Sequence, residues 1–280
     1  MYLAHFGLTE SPFGITPDTQ FTFPGNAHQE ALNTLLMAVK SGEGFIKITG
    51  EVGTGKTLLC RRFLSALSND YVTAYLPNPY LAPRVLLIAV AEELGVTIDH
   101  NHHHLYLLKD LNEALLAYAR KGKPVILCID EAQAMPIESL EALRLLSNLE
   151  TEKRKLIHLV LFGQPELDVK LANPAVRQLR QRIAFHYRLR GLRRNELEHY
   201  LNHRLRVAGY RGDRLFTPGA VRLIHRASHG TPRVVNILAH KALLSAFGEG
   251  KQQIVAPHLR MAVRDTEEAR LAWWKMWAPL

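Results

Sequence analysis

The sequence predicts an α/β fold, a three-layer sandwich around a parallel sheet, followed by a smaller domain made only of helices. Two observations lead to this class. Short apolar strands alternate with helical patterns over the first two thirds of the chain, and only helical patterns follow them. The length of 280 residues, of which 47% are hydrophobic, allows one domain of about 200 residues and a second, smaller core.

The composition narrows the function only slightly. The net charge of +9 and the pI near 9.6 suit contact with nucleic acid or anionic lipid, and equally suit a protein that holds a nucleotide. Both cysteines, Cys60 and Cys128, lie in apolar runs, which is typical of buried thiols in a reducing compartment. No apolar run approaches the roughly 20 residues of a membrane span, and the N-terminus lacks a signal-peptide pattern. We therefore expect a cytoplasmic protein that touches a membrane at most peripherally.

The first sharp signal is the segment "FIKITGEVGTGKTLLCRRFLSAL". Residues 45–49 predict a buried strand, residues 56–67 predict a helix, and residues 50–57 at their junction fit the phosphate-loop pattern G-x-x-x-x-G-K-[ST]. Its glycines let backbone N–H groups point at phosphate oxygens, while Lys56 reaches the β- and γ-phosphates and Thr57 ligates Mg²⁺. The predicted nucleotide-binding residues are Gly50, Glu51, Val52, Gly53, Thr54, Gly55, Lys56, Thr57 and Leu58.

A second buried strand carries the acids that such a site requires. In "KPVILCIDEAQAM", residues 125–129 are apolar without interruption, and Asp130 and Glu131 follow. Asp130 lies at the carboxyl end of the strand, where open parallel sheets bind ligands, and is predicted to hold Mg²⁺. Glu131 points to the other side and is predicted to activate water against the γ-phosphate. A second acid of this kind separates an ATP hydrolase from many kinases and GTPases.

A third apolar strand, "LIHLVLFGQPEL", ends in Gly163 and Gln164. If this strand lies between the other two, the side chain of Gln164 can touch the attacking water or the γ-phosphate. We assign Gln164 this sensing role. The alternative is an ordinary turn residue before Pro165.

The stretch "RQLRQRIAFHYRLRGLRR" carries seven arginines. Alternation of apolar and polar residues after Arg182 predicts a strand with one buried face. The arginines before it then lie at the edge of the nucleotide-binding core, where one of them can reach the γ-phosphate bound by a neighbouring subunit. We predict that Arg182 is this arginine finger in a homo-oligomer, with Arg180 and Arg177 as alternatives, and that the others form a basic rim.

Four helices are predicted after residue 193. Asn195 with Glu198 fits a capping box before the first helix, and Thr-Pro pairs begin the second and third. Arg233 lies in the first turn of the third helix, within "GTPRVVN". If the helical domain folds over the ATP, Arg233 contacts the phosphates and couples the lid to the nucleotide state. A plain surface residue is the alternative.

Together these residues resemble an AAA+ ATPase. The segments "GEVGTGKT" and "LCIDEAQ" correspond to its Walker A and Walker B motifs, Gln164 to its sensor 1, and "GTPR" to its helical lid. The segments "HFGLTESPFGITPD", "HQEAL" and "GQPEL" are similar to the ExeA/GspA family of secretion ATPases, and the likeness covers nearly the whole chain. Within that family the sequence resembles proteins of mannose-sensitive haemagglutinin (type IV) pilus biogenesis.

The resemblance implies a Mg²⁺-dependent ATPase at the cytoplasmic face of the inner membrane that helps to assemble a type IV pilus or a type II secretion complex. ExeA-type proteins continue into a transmembrane segment and a peptidoglycan-binding domain, neither of which this sequence shows, so we expect membrane attachment through a partner. The expected domains are an N-terminal strap and linker helix at 1–40, a P-loop ATPase core at 41–192, a helical lid at 193–268 and a Trp-rich tail at 269–280.

Two other functions stay open. A DNA-binding AAA+ ATPase of the transposition or replication-loader type would use the basic rim, although no DNA-reading module such as a helix-turn-helix follows the lid. A nucleotide-gated scaffold would bind ATP and barely hydrolyse it, and the presence of Glu131 argues against this function.

Three further features each have more than one interpretation. A histidine cluster indicates a loop rather than a metal site, and it consists of His100, His102, His103 and His104. The tryptophans of "WWKMWAPL" lie at a lipid surface, dock on a partner or pack against the lid. The third feature consists of Phe6, Pro12 and Phe13. In one interpretation they close over the adenine as a strap, and in the other they pack into a core.

Overall fold

The structure of the chain is a computed structural model that describes residues 1–16, 20–21, 23, 25–97, 104–150 and 155–269. The chain forms two compact units. The α/β unit comprises His28–Glu51 and Lys56–Leu189, and the helical unit comprises Met1–Ala27, Val52–Gly55 and Arg190–Leu280. The predicted fold class, an α/β fold with a parallel sheet followed by helices, is confirmed.

A five-stranded parallel sheet in the order β2-β3-β4-β1-β5 forms the centre of the α/β unit. Its strands are β1 (Phe45–Gly50), β2 (Val72–Leu76), β3 (Val125–Ile129), β4 (Ile157–Gly163) and β5 (Phe185–Leu189). Strands β3 and β4 are buried along their whole length, because their residues are almost entirely apolar on both faces, as in a sheet covered on both sides. Strand β4 lies between β1 and β3, which is the position that the role predicted for Gln164 requires.

The register of the sheet brings the carboxyl ends of three strands together. Ile129 of β3 pairs with Leu161 of β4, and Thr49 of β1 pairs with Gly163 of β4. The residues that follow these strands therefore share one edge of the sheet, the edge at which open parallel sheets bind ligands.

Helices precede the first strand and connect the others, because parallel neighbours need crossover connections. They are α2 (Asn26–Lys40), α3 (Lys56–Ala66), α4 (Pro83–Glu93), α5 (His104–Arg120), α6 (Ile137–Ser147), α7 (Glu166–Leu171) and α8 (Arg177–Gln181), with short 3₁₀ turns at Ala132–Ala134 and Pro174–Val176. Cys60 on α3 and Cys128 on β3 are both free and buried, as their apolar surroundings in the sequence predict.

The helical unit buries the start of the chain in its own core. Its helices are α1 (Tyr2–His5), α9 (Arg194–Val207), α10 (Pro218–Ser228), α11 (Pro232–Gly248) and α12 (Ala256–Arg264). Phe6, Phe13 and Phe21 belong to the hydrophobic core of this unit, so the structure supports core packing of Phe6 and Phe13. Residues 1–27 thus belong to the helical unit, whereas the remainder of α2 belongs to the α/β unit.

A buried polar network fastens this N-terminal segment inside the helical unit. Arg204, which is 8% exposed, donates from Nε to the carbonyl of Pro12 at 2.5 Å and from Nη1 to the Tyr200 hydroxyl at 3.1 Å. The Tyr200 hydroxyl donates to Oδ1 of Asn236 at 2.8 Å, and Nδ2 of Asn236 donates to the carbonyl of Gly14 at 3.2 Å. Because a buried polar group is costly unless it is hydrogen-bonded, the network fixes the segment against α9 and α11.

Helix α9 is capped by a different acid from the one predicted. The carboxylate of Glu196 accepts the backbone N–H of Arg193 at 2.7 Å and the guanidinium of Arg190 at 2.8 Å. The prediction that Asn195 and Glu198 form the capping box is therefore wrong. Helix α9 begins at Arg194, so Asn195 lies inside it and cannot be its N-cap. The guanidinium of Arg190 holds the carboxylate of Glu196 near the helix start and lowers its pKa.

Two expectations concern side chains that the structure does not describe: the histidine cluster and the tryptophans of the tail both lie outside the described side chains. Among the residues that are described, no helix combines the length and the apolar character that crossing a bilayer requires. The same part of the chain holds no group of three His, Cys, Asp or Glu side chains that could bind a metal ion.

Candidate active site

The phosphate loop lies between the end of β1 at Gly50 and the start of α3 at Lys56. Gly53 and Gly55 have φ angles of 77° and 92°, a left-handed region that side chains with a Cβ rarely adopt. The pattern of glycines in the sequence therefore has a direct conformational cause. Leu58, the last predicted binding residue, is half-buried in the first turn of α3.

The side chain of Lys56 lies inside the loop. It is 5% exposed, and its Nζ donates to the carbonyls of Gly50 at 2.8 Å and Glu51 at 3.1 Å. Burial lowers the pKa of Lys56, while the nearby acids, Glu131 foremost, oppose this shift. The ammonium is thus positioned in the loop by backbone acceptors of the loop itself.

Thr57 and Asp130 come together from two different elements. The Thr57 hydroxyl, in the first turn of α3, donates to Oδ2 of Asp130 at 2.6 Å, at the end of β3. Burial raises the pKa of Asp130, and the hydrogen bond from Thr57 opposes that shift. A hydroxyl and a carboxylate are hard oxygen ligands of the kind that Mg²⁺ takes together with phosphate oxygens, so the residues present fit the predicted metal.

Tyr75, on β2, is a residue of this site that the sequence analysis missed. Its hydroxyl donates to Oδ2 of Asp130 at 3.4 Å. Burial, followed by the negative charge of Asp130, raises the pKa of Tyr75 to about 12. Its position near the carboxyl end of a neighbouring strand is the signal in the sequence that could have identified it.

Glu131 adopts an unusual backbone conformation directly after Asp130. Its φ of 50° and ψ of 37° lie in the left-handed region, which is uncommon for a residue with a side chain. Its backbone N–H donates to Oδ1 of Asp130 at 2.9 Å. Oε2 of Glu131 accepts Nε2 of Gln164 at 3.1 Å, so the structure brings together the predicted general base and the predicted sensing residue.

Gln133 is a second residue that the sequence analysis missed. Its Nε2 donates to Oε2 of Glu131 at 2.5 Å, and its Oε1 accepts the backbone N–H of Gln164 at 3.0 Å. The signal was present in the sequence as the Gln of "DEAQ", two positions after the predicted general base. Glu131, Gln133 and Gln164 therefore form one hydrogen-bonded group.

Arg233 contacts the phosphate loop within the helical unit. Its backbone N–H donates to the carbonyl of Gly53 at 3.3 Å, and a Cβ added to Gly53 would lie 2.5 Å from the Cβ of Arg233. Gly53 is therefore required for close approach as well as for its backbone angle. The side chain of Arg233 itself is exposed.

Arg182 lies at the C-terminal end of α8 and is exposed. Its Nη1 donates to Oγ of Ser147, at the end of α6, at 2.8 Å. The exposed Arg177 and Arg180 precede it on α8. Among the described contacts of Arg182 within one copy of the chain, the hydrogen bond goes to α6 and none goes to the phosphate loop.

Comparison of the sequence with known proteins identifies relatives. Residues 39–171 match the family described as an AAA domain. Over 270 residues the chain is 40% identical to general secretion pathway protein A of Aeromonas hydrophila, and this alignment covers 96% of the chain and 49% of the relative. The chain thus spans about half the length of that curated relative.

Solved structures of low sequence identity share the fold. Cdc6p of Pyrobaculum aerophilum superposes with a TM-score of 0.65 at 15% identity, covering 89% of this chain and 71% of that one. ORC1 of Aeropyrum pernix, solved in complex with DNA, gives a TM-score of 0.61 at 20% identity, covering 97% and 73%. The RuvB Holliday junction branch migration motor of Thermotoga maritima superposes with a TM-score of 0.57 at 17% identity, covering 91% of this chain and 73% of that one.

Proposed function

The chain belongs to the ExeA/GspA family of AAA+ ATPases, and on this premise we propose that it binds Mg²⁺ and ATP and hydrolyses ATP to support the assembly of a secretion or pilus complex. The observation that carries the proposal is the 3.1 Å hydrogen bond between Glu131 and Gln164 at the ends of neighbouring strands. A loop that only holds a nucleotide needs neither a general base nor an amide beside it.

Lys56 is the residue proposed to bind the β- and γ-phosphates. Its ammonium now donates to two neutral carbonyls, and phosphate oxygens are stronger, charged acceptors for the same protons. Because Lys56 is buried, its attraction to phosphate is screened less than that of a surface lysine. The backbone N–H groups of the loop supply the remaining contacts.

Thr57 and Asp130 are the residues proposed to hold Mg²⁺. Their hydrogen bond of 2.6 Å joins two hard oxygen ligands beside the phosphate loop, and Mg²⁺ commonly binds through one or two protein ligands plus substrate phosphates. When it is bound, Mg²⁺ neutralises negative charge on the phosphate oxygens.

Glu131 is proposed to act as the general base. Its carboxylate takes a proton from a water molecule while the oxygen of that water forms a bond to the γ-phosphorus. The bond between the γ-phosphorus and the oxygen that bridges to the β-phosphate breaks, and ADP and inorganic phosphate result. Gln164, which already donates to Glu131, is proposed to orient the same water.

Two arginines are proposed to complete the site. Arg182 is exposed beyond α8, where a guanidinium can be presented to the γ-phosphate of a neighbouring copy in a homo-oligomer. Arg233 begins α11 against Gly53, so a change in the nucleotide-bound loop can be passed to the helical lid.

Membership of the family supports the biological role that we propose. The relative that covers most of this chain is named general secretion pathway protein A. We therefore propose a place at the cytoplasmic face of the inner membrane, beside proteins of a type II secretion or type IV pilus complex. ATP binding would favour one arrangement of that complex and hydrolysis would release it.

The test combines turnover with partner capture. We expect phosphate release from ATP that requires Mg²⁺ and stops with EDTA, and we expect Glu131→Gln to stop hydrolysis and retain inner-membrane secretion or pilus proteins in cell pull-downs. Capture of replication or transposition proteins, together with DNA-stimulated turnover that falls steeply with salt, would instead favour a DNA-binding ATPase. Wild-type protein that binds ATP without any phosphate release would indicate a scaffold.

A further inference from the structure

Gln133 lies in the 3₁₀ turn Ala132–Ala134 that follows β3, and both ends of its side-chain amide are used. Its Nε2 donates to Oε2 of Glu131 at 2.5 Å. Its Oε1 accepts the backbone N–H of Gln164, the first residue after β4, at 3.0 Å. One side chain thus links the ends of two adjacent strands at the site proposed for water attack.

The backbone contact fixes which way the amide of Gln133 faces. A backbone N–H can only donate, so the atom of Gln133 that meets Gln164 must be the carbonyl oxygen. The NH₂ group is then directed at Glu131. The backbone of Gln164, directly after β4, therefore determines that Gln133 turns its NH₂ group, and not its oxygen, towards Glu131.

The carboxylate of Glu131 is held on one side only. Oε2 accepts both Nε2 of Gln133 and Nε2 of Gln164, whereas no hydrogen bond falls on Oε1 from the residues that the structure describes. A carboxylate with one oxygen held by two donors presents the other oxygen in a defined direction, which is what proton transfer from a positioned water requires.

The surroundings of Gln133 leave room for this arrangement. A Cβ added to Gly163, the last residue of β4, would lie 2.7 Å from Cδ2 of Leu167 and 3.3 Å from Oε1 of Gln133. Gly163 therefore allows the amide to approach the strand end. The left-handed backbone of Glu131 turns the chain so that residues 131 and 133 both reach the same point.

We propose that Gln133 is a positioning residue for ATP hydrolysis, which orients the carboxylate of Glu131 and ties it to the strand that carries Gln164. This inference rests on the proposed ATPase function of the same site. It assigns to Gln133 a role in the chemical step and no role in nucleotide affinity, since its hydrogen bonds reach Glu131 and Gln164 and none reaches Lys56 or Thr57 among the described contacts.

The first experiment replaces Gln133 with a residue of similar size that makes neither hydrogen bond. Gln133→Met should lower kcat by about 10- to 100-fold, the scale on which misplaced catalytic groups lose rate. KM for ATP and the Kd for Mg²⁺ and ADP measured by calorimetry should stay within about twofold, because phosphate-binding groups are untouched. Gln29→Met, at an exposed position of α2, is the matched control and should leave kcat unchanged.

The second experiment is a double-mutant cycle. If Gln133 acts through Glu131, Gln133→Met should change the residual turnover of Glu131→Gln by less than about twofold, although it costs far more in the wild-type background. Gln133→Glu supplies a further variant, because it keeps an acceptor for the N–H of Gln164 and loses the donor to Glu131. Its kcat should fall like that of Gln133→Met.

Three results would overturn the inference. The first is an unchanged kcat in Gln133→Met. The second is an equal fractional loss of kcat when Gln133→Met is made in the wild-type and in the Glu131→Gln backgrounds. The third is loss of ADP binding and of the melting transition in both Gln133 variants, which would assign Gln133 to the fold alone. Failure of the proposed function is distinguishable, because then the wild-type protein itself releases no phosphate from ATP.

Discussion

The hydroxyl of Thr57 donates a hydrogen bond of 2.6 Å to a carboxylate of Asp130 that is almost completely buried. Burial raises the pKa of Asp130, and this one hydrogen bond is the largest influence that opposes the shift. The fold therefore carries a buried carboxylate that is less stable in its ionised form than an exposed one. Sites arranged for binding commonly carry such a cost in stability.

We predict that Asp130→Asn stabilises the nucleotide-free protein and abolishes hydrolysis of ATP. The amide removes the buried charge and can still be fully paired, because its oxygen can accept the backbone N–H of Glu131 while its NH₂ donates to the Thr57 hydroxyl. The melting temperature at neutral pH should therefore rise by about 2–4 °C per kcal/mol gained. Thermal melts without nucleotide, together with phosphate release in the presence of Mg²⁺, check both parts.

The pH dependence of this gain has a definite sign. The pKa of Asp130 is raised in the fold, so the cost of its charge is fully present above the folded pKa and vanishes as the pH falls to the ordinary pKa of aspartate. The melting difference between Asp130→Asn and wild type should therefore shrink on acidification. A difference that grows as the pH falls would contradict the assignment.

Substitutions of Lys56 and Glu131 should impair different steps, namely ATP binding and ATP hydrolysis. Lys56→Ala removes the charge that meets the phosphates and should weaken ATP binding beyond detection, whereas Glu131→Gln should bind ATP normally and lose hydrolysis by about 100-fold or more. Calorimetric titration with ATP and a single-turnover assay separate binding from chemistry. Equal losses of affinity in the two variants would refute the roles proposed for them.

Arg233 should couple the nucleotide to the helical unit. Arg233→Ala is expected to reduce the difference in protease sensitivity between the ATP-bound and ADP-bound protein more than it reduces ADP affinity, because the variant would lose the phosphate contact that is proposed to signal the nucleotide state. Arg222→Ala, at an exposed position of α10, is the control. Unchanged protection patterns in Arg233→Ala would identify Arg233 as a surface residue.

Arg182 should act on the nucleotide of a neighbouring copy. Arg182→Ala is expected to bind ATP normally, since Lys56, Thr57 and Asp130 remain, and to lose about 10³-fold or more in hydrolysis. Mixing it with Lys56→Ala should restore part of the activity, because the Lys56→Ala subunit still supplies Arg182 to an intact pocket.

A control separates this role from the contact that Arg182 makes within one chain. Ser147→Ala removes the acceptor of the guanidinium and keeps Arg182, so hydrolysis should persist. Absence of rescue in mixtures that demonstrably co-assemble would exclude Arg182 as the finger, and Arg180 and Arg177 would be tested next.

Local patterns made the phosphate loop and the strand ends predictable. The spacing of glycines around Lys56, and the acids that follow an unbroken apolar strand, are determined by a few neighbouring residues. The link from Glu131 through Gln133 to Gln164 was not predictable in this way, because it depends on which strands are adjacent and on the left-handed backbone of Glu131. Tyr75 was missed although it lies near a strand end, because its contact with Asp130 depends on the adjacency of β2 and β3.

The helical unit shows a similar limit. Thr231 and Pro232 correctly mark the start of α11, whereas the cap of α9 depends on Arg190, which lies outside the short window of a capping box. The burial of Phe6 and Phe13 stayed undecided in the sequence, since most of their partners lie after residue 190.

The hydrogen bond from Arg204 to Pro12 spans 192 positions of the sequence, and it has a consequence for how the protein folds. A unit assembled from residues 1–27 and from residues after 190 cannot complete its core until the second of these segments has been synthesised. Contacts of such sequence separation form late and slow folding, so residues 28–189 are free to fold first. A truncation of the first 27 residues would therefore damage the helices that lie after residue 190, far along the chain from the deletion.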